Sequence, residues 1–221
     1  MEQTEPERFY TDVADDTVAL IGRHESLVGR TVLDVGAGQE QFGRRFQDAG
    51  ARYVAVDLHR DSLEQGPGRA AVVGRGEQLP VADASVDVVM SNNVMEHVTH
   101  PGAVADEMVR VVRPGGLLFI SYTAWASPWG GHETSPWHLL GGDYARRRYE
   151  RTHGHPPKNV YGESMFPATV AGGLAWARRQ EGATLLEAAP RYHPDWADSV
   201  LHLPLLREVL SWNLMMVLRR T

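Results

Sequence analysis

The chain has 221 residues, a net charge of −6 and a pI near 5.9, and 43% of it is hydrophobic. That length suits one ordinary α/β domain with a full core, and the acidic balance argues against a nucleic-acid backbone as partner, which needs a basic face. The absence of cysteine excludes a disulfide framework, a thiolate nucleophile and a zinc–thiolate site.

Met1 to Arg8 is polar and acidic, unlike a signal peptide. No apolar run reaches about 18 residues, so no membrane span is expected and a cytoplasmic location fits. Residues 1–29 hold apolar positions at helical spacing (Phe9, Val13, Val18, Ile21), which predict one or two N-terminal capping helices. Arg30 to Val35 reads as a first strand, Glu40 to Ala49 as a helix closed by Gly50, and Tyr53 to Asp57 as a second strand. A short helix begins at Arg60 and runs to Glu64, where Gly66-Pro67-Gly68 breaks it. Ala70 to Val73 and Val86 to Ser91 are the next strands. A helix over Gly102 to Val112 stops at Pro114-Gly115-Gly116, and Leu117 to Tyr122 is the fifth strand. Alternation of strand and helix over residues 30–122 predicts a doubly wound, mostly parallel sheet.

Residues 123–167 break the pattern. Tryptophan, histidine, glycine and proline crowd together, with a helix only around Asp143 to Thr152. A connection this long is usually functional, and Trp125, Trp129 and Trp137 do not suit a solvated linker. It is read as an ordered lid. Residues 168–221 complete the sheet: a helix over Ala168 to Gln180, a strand over Thr184 to Ala188, a short helix over Pro204 to Ser211 and a last strand over Trp212 to Arg219.

The most informative stretch is Val32-Leu33-Asp34-Val35-Gly36-Ala37-Gly38 followed by Val54-Ala55-Val56-Asp57. A strand, a glycine turn, a helix and a second strand ending in an acid build a nucleotide-type site at the carboxyl edge of a parallel sheet. Asp57 stands about 20 residues beyond the turn, where an acid accepts from both hydroxyls of a ribose. The pattern leaves two cofactors open. A dinucleotide wants a third glycine where this chain has Gln41, and Glu40 would repel a pyrophosphate. Asp34 also suits a cationic ligand better, and S-adenosylmethionine carries an ammonium, a sulfonium and a ribose diol.

Further blocks follow in order: Gln78-Leu79-Pro80 with Ser85-Val86-Asp87-Val88-Val89, Ser91-Asn92-Asn93-Val94-Met95-Glu96-His97-Val98, and Arg110-Val111-Val112-Arg113-Pro114-Gly115-Gly116. With them the chain resembles the class I S-adenosylmethionine-dependent methyltransferases over residues 30–123, in the broad branch of quinone-type and small-molecule enzymes. Beyond Tyr122 it is similar only to uncharacterised actinobacterial members. The resemblance implies a Rossmann-like doubly wound seven-stranded sheet with an antiparallel last strand, plus the inserted lid. It implies binding of S-adenosylmethionine, with S-adenosylhomocysteine as product.

Residue by residue, the resemblance puts Asp34 on the cofactor's ammonium, directly or through water. Gly36, Ala37 and Gly38 form the tight turn, Asp57 takes the ribose, and Leu58 packs on the adenine edge. Arg75 departs from the family, since many relatives have there an Asp that accepts from the adenine amine, and arginine cannot accept. Adenine recognition then falls to Gly76 and Glu77, with Gln78 beside them. Asn92 would face the ammonium through its carbonyl, and His97 lies near the cofactor or the substrate mouth. Ser91-Asn92-Asn93-Val94 lacks the Pro-Pro-aromatic run of methyltransferases acting on base amines, which again argues against a nucleic-acid substrate.

For the chemistry, His132 and Glu133 in Gly130-Gly131-His132-Glu133 are the candidates. A neutral His132 would take a hydroxyl proton near pH 7, with Glu133 orienting it. The ordinary alternative is a glycine-rich turn with two solvated polar side chains. No histidine or carboxylate spacing matches a metal signature, so no metal is expected. The acceptor is read as a small or lipid-like molecule, methylated at oxygen. The rival readings are a nicotinamide-dependent oxidoreductase and a non-catalytic cofactor-binding module, the latter hinted at by Arg75.

Overall fold

The computed structural model describes residues 6–38, 40–63 and 70–221. Gln39 of the glycine turn, Glu64 at the predicted end of the short helix, the Gly66-Pro67-Gly68 break and the first five residues of the polar N-terminus lie outside the described residues. The elements in chain order are α1 (Pro6–Gly22), β1 (Thr31–Val35), α2 (Glu40–Asp48), β2 (Arg52–Asp57), α3 (Arg60–Leu63), β3 (Ala70–Val73), β4 (Val86–Asn92), α4 (Pro101–Val111), β5 (Val112–Thr123), α5 (Gly142–His153), α6 (Val170–Arg179), β6 (Ala183–Arg191), α7 (Leu206–Leu210) and β7 (Asn213–Arg220). Short 3-10 turns cover Met95–His97, His132–Thr134, Trp137–Leu140 and Asp195–His202.

The strands form one seven-stranded sheet in the order β3-β2-β1-β4-β5-β7-β6. β1 pairs in parallel with both β2 and β4, while β7 lies antiparallel between β5 and β6. The chain winds outward from β1 to β3, then returns to start β4 on the other side of β1. That reversal opens a crevice at the carboxyl ends of β1 and β4, where ligands bind in such sheets. Fold class and the inserted last strand agree with the sequence expectation.

Both faces of the central strands are covered, so those strands are apolar nearly throughout. In β5, Leu117 and Phe119 point to the α1/α2 side, packing with Val13, Ile21, Phe42 and Phe46. Leu118 and Ile120 point to the opposite side, with Val104, Met108, Leu174 and Trp176 of α4 and α6. The Trp176 indole N–H donates to Asp106 at 2.8 Å and ties these two helices together.

Boundaries differ where local signals competed. Pro114-Gly115-Gly116 does not end the helix, which stops at Val111; it forms an irregularity inside β5, between the pairs Val86↔Val112 and Val88↔Leu117. Gly116 is crowded there, since a Cβ would stand 2.6 Å from the Asp87 carbonyl. β6 runs on to Arg191 through Pro190, which an edge strand tolerates. The N-terminal segment forms one long helix, α1, rather than two.

Glu107 on α4 pins the loop after β3. Its carboxylate accepts from Arg110 through both oxygens at 2.7 Å and from the Leu79 amide at 2.8 Å. The Arg110 hydrogen bonds hold the Glu107 carboxyl below its ordinary value, outweighing burial. A depressed carboxyl stabilises the fold fully above its unfolded value and loses that contribution as pH falls through the folded one. Glu107→Gln is therefore expected to cost about 1–2 kcal/mol at neutral pH and less near pH 3. Urea unfolding at the two pH values checks this, and an equal cost at both would contradict it.

Candidate functional site

The glycine turn after β1 is held by backbone bonds from Gly36 and Ala37 to the Val56 carbonyl, at 2.8 and 3.2 Å. Gly36 sits at φ +79°, and a Cβ there would stand 2.4 Å from a Val94 methyl. No other residue fits without moving Val94. Ala37 is buried and Gly38 half-buried at the lip of the turn.

Asp57 ends β2 beside this turn. Its Oδ2 accepts from the Gly38 amide at 3.3 Å and its Oδ1 from the His59 amide at 2.8 Å. The second bond closes a local turn after β2; the first joins the acid to the glycine turn. Asp57 stays half-exposed, with lone pairs to spare. Leu58 next to it is 54% exposed, a free apolar surface at the crevice edge. Asp34, buried in β1, accepts from the Tyr53 hydroxyl.

Gly76 packs against Val104 and Val35, where a Cβ would come within 3.2 and 3.6 Å. Arg75 does not turn inward. Its side chain is 70% exposed and lies 3.8 Å from Glu77, itself far less exposed.

Asn92, at the end of β4, belongs to a buried polar hub that sequence reasoning missed. The Arg191 guanidinium donates to Asn92 Oδ1 at 2.7 Å, Ser121 Oγ at 2.9 Å, Thr17 Oγ1 at 2.7 Å and Asp16 at 2.8 Å. One arginine thereby joins α1 to the carboxyl ends of β4, β5 and β6. Asn213 extends the hub, accepting from Ser121 Oγ and donating to Asn93 Oδ1, both at 2.7 Å. The Asn92 side-chain nitrogen is buried and finds no acceptor among the described residues. No periodicity marks Arg191; only the arrival of four segments at one point reveals it.

The structure gives each member of the predicted catalytic pair a neighbour from another part of the chain. Glu133 is taken by the Asn159 side chain, which donates to both of its oxygens at 3.0 and 3.2 Å. His132, at φ +48°, instead faces His97, with ring centroids 5.3 Å apart. His97 donates from Nδ1 to the Ser164 carbonyl at 2.7 Å, so it is tied to residues 123–167. Glu96, beside it, is buried; its Oε1 accepts from the Thr123 amide at 3.0 Å. One ligating atom from each of Glu96, His97 and His132 lies within 4.8 Å of the others. Glu96 and His97 follow β4 and His132 follows β5, so no spacing along the chain records this set.

Residues 123–167 carry a small core. Trp125 packs edge-on to His138 and against Tyr161, each at 5.2 Å. His138 is buried, which pushes its imidazole below the ordinary value and keeps it neutral, bonded to the Ser127 carbonyl at 3.1 Å. Trp129 and Trp137 are not core: both are exposed, Trp129 edge-on to Trp212 and Trp137 beneath Arg148. On α5, Arg147 and Arg151 are exposed, Arg146 and Arg148 are half-buried, and Arg146 meets Glu163 at 3.7 Å. Among the described residues no helix is long and apolar enough to cross a membrane.

The family described as "Methyltransferase domain" matches residues 33–120, the span that builds the crevice. An uncharacterized methyltransferase of Mycobacteroides abscessus is 48% identical over 233 residues, covering 99% of this chain and 89% of its own. One from Mycolicibacterium paratuberculosis is 49% identical over 230 residues, with coverage of 99% and 89%. Among solved structures, an S-adenosylmethionine-dependent methyltransferase from Mesorhizobium loti superposes with a TM-score of 0.66 at 20% identity, over 95% of this chain and all (100%) of that one. A SAM-dependent methyltransferase from Aquifex aeolicus gives 0.57 at 13% identity, over 93% and 90%. These structures share the fold; the mycobacterial relatives match almost the whole length. The chain belongs to the class I S-adenosylmethionine-dependent methyltransferases.

Proposed function

We propose that this enzyme transfers the methyl group of S-adenosylmethionine to an oxygen of a small or lipid-like acceptor, beneath a lid made of residues 123–167. The observation that carries the cofactor reading is the joined turn: Gly36 packed under Val94, with Asp57 fixed to Gly38 at the switch point of the sheet. The site fits the group by two tests. A Cβ at Gly36 would fill the cradle, and the buried Asn92 amide nitrogen lacks an acceptor that a ligand carboxylate would supply.

When bound, S-adenosylmethionine supplies a methyl on a sulfonium leaving group. The residues' work is binding, alignment and exclusion of water. Asp57 takes the ribose hydroxyls on the lone pairs its backbone bonds leave over. Asp34 faces the ammonium, and Asn92 orients the amino-acid end while the Arg191 hub holds Asn92 still. Leu58, Gly76 and Glu77 flank the adenine, and Ala37 and Gly38 line the turn. His97 and His132, with Glu96, stand on the acceptor side. Glu133 leaves the reacting pair, because Asn159 holds it in the lid. An apolar acceptor is supported by exposed apolar side chains, Trp196 at 78% and Leu205 at 83%, and by the exposed pair that Trp129 makes with Trp212.

Calorimetric titration with S-adenosylmethionine, S-adenosylhomocysteine and NAD tests the reading. Binding of the two sulfur ligands without NAD is expected, and the reverse would assign the crevice to a nicotinamide enzyme. Asp57→Ala is expected to weaken S-adenosylhomocysteine by about 1.5–3 kcal/mol, the scale of lost charge-assisted hydrogen bonds. An unchanged dissociation constant would remove Asp57 from the ribose.

A further inference from the structure

We propose that Glu96, His97 and His132 form a binding site for a first-row divalent cation of the Zn²⁺, Co²⁺ or Mn²⁺ kind. The three ligating atoms lie within 4.8 Å of one another. A tetrahedral site with bonds of about 2.0 Å places its ligands about 3.3 Å apart. Side-chain shifts on the order of 1 Å therefore close this cluster on an ion.

Glu96 makes the stronger argument. It is 1% exposed, and its Oε2 is buried with no hydrogen-bond partner, so it accepts from neither imidazole. Among the described residues no lysine or arginine pairs with it. A buried carboxylate oxygen in that condition is costly unless a cation meets it. Ligating atoms spread over as much as 4.8 Å suit an intervening ion better than a direct ion pair.

His97 is prepared as a ligand. A carbonyl can only accept, so the 2.7 Å contact with Ser164 places the proton on Nδ1. Nε2 keeps its lone pair, and the carbonyl fixes the ring, as second-shell partners of metal-bound histidines do. His132 completes the set from the turn after β5, beside the turn after β4 that carries Glu96 and His97. The other close histidine pair, His153 and His155, is exposed around Tyr149, with His153 stacked on its ring at 4.0 Å. It has no buried carboxylate of this kind.

The cation's role rests on the methyl-transfer reading above; the site itself does not. Three protein ligands leave coordination positions open for an acceptor hydroxyl. The positive charge lowers the hydroxyl's pKa, and its proton leaves to solvent. The oxygen lone pair then forms the bond to the methyl carbon as the carbon–sulfur bond breaks, its electron pair passing to sulfur to give S-adenosylhomocysteine. The imidazoles act as ligands here rather than as bases.

The test uses the full-length protein, stripped with chelator and titrated with Co²⁺ alone by visible absorption, with S-adenosylhomocysteine affinity measured on the same samples. One saturating equivalent with d–d bands is expected. His132→Ala and Glu96→Gln should each weaken it by about 10²-fold or more, while the double variant His153→Ala/His155→Ala keeps it. If Glu96→Gln does not fold, His132→Ala on the lid carries the comparison. Overturning results are no saturable band, or a band that survives His132→Ala and disappears in the His153/His155 double variant. Cobalt binding without S-adenosylhomocysteine binding would leave the cation site standing and defeat the cofactor reading. The converse would defeat the cation site alone.

Discussion

Arg191→Met is expected to destabilise the protein by about 3 kcal/mol, the low end of the range for breaking a buried, hydrogen-bonded charge pair. The low end applies because Asp16 is 45% exposed and recovers water, whereas the arginine side chain is only 2% exposed. Methionine fills much of the volume but donates nothing. Asn92 Oδ1 and Ser121 Oγ lose a donor at 2.7 and 2.9 Å, and Thr17 loses one at 2.7 Å. At roughly 2–4 °C per kcal/mol for a chain of this size, the melting temperature should fall by roughly 6–12 °C. Lysine should not rescue it, because one ammonium cannot span the sites that the planar fork reaches together. S-adenosylhomocysteine binding should weaken as well, since Asn92 would no longer be held. A variant within about 0.5 kcal/mol of the parent would show the hub to be structurally idle.

Gly36→Ala should be nearly as severe, by a different route. The backbone at φ +79° disfavours any L side chain, and the new methyl would meet Val94 at 2.4 and 2.9 Å. The dihedral costs about 1 kcal/mol and the overpacking about 1–3 kcal/mol. Both fall on the turn that carries Gly38 and, through it, Asp57, so cofactor affinity should drop about 10²-fold along with stability. The companion Val94→Ala removes both offending methyls. The double variant should recover the packing part and keep the dihedral part, a coupling that a double-mutant cycle reads directly. Full recovery would mean the positive φ is unimportant here, and no recovery would mean Val94 is not the obstacle.

Much of the sheet was legible because its signals are local. Val32 to Val35 and Val86 to Ser91 are runs that only a doubly covered strand tolerates, and they appear where expected. The misreadings share one cause. Pro114-Gly115-Gly116 and Pro190 are strong local breakers, yet an irregular stretch of strand and a sheet edge accommodated them once neighbouring strands set the register. The aromatic residues of 123–167 divided in the same way. Trp125 and Tyr161 pack together half-buried, whereas Trp129 and Trp137 stay exposed, since composition reports that apolar rings are present and not which of them find partners.

By itself, the sequence determined the order of strands and helices, the glycine turn and the acid at the end of the second strand, because each depends on residues close together in the chain. The tertiary structure alone decided which distant polar groups meet. It turned Arg75 to solvent, bonded Glu133 to Asn159, gathered Asp16, Thr17, Asn92 and Ser121 around Arg191, and set Glu96 and His97 beside His132. Such meetings are fixed by packing across the carboxyl edge of the sheet. Hydrogen bonds and charges act over a few ångströms whatever the distance along the chain, so no spacing in the sequence records them.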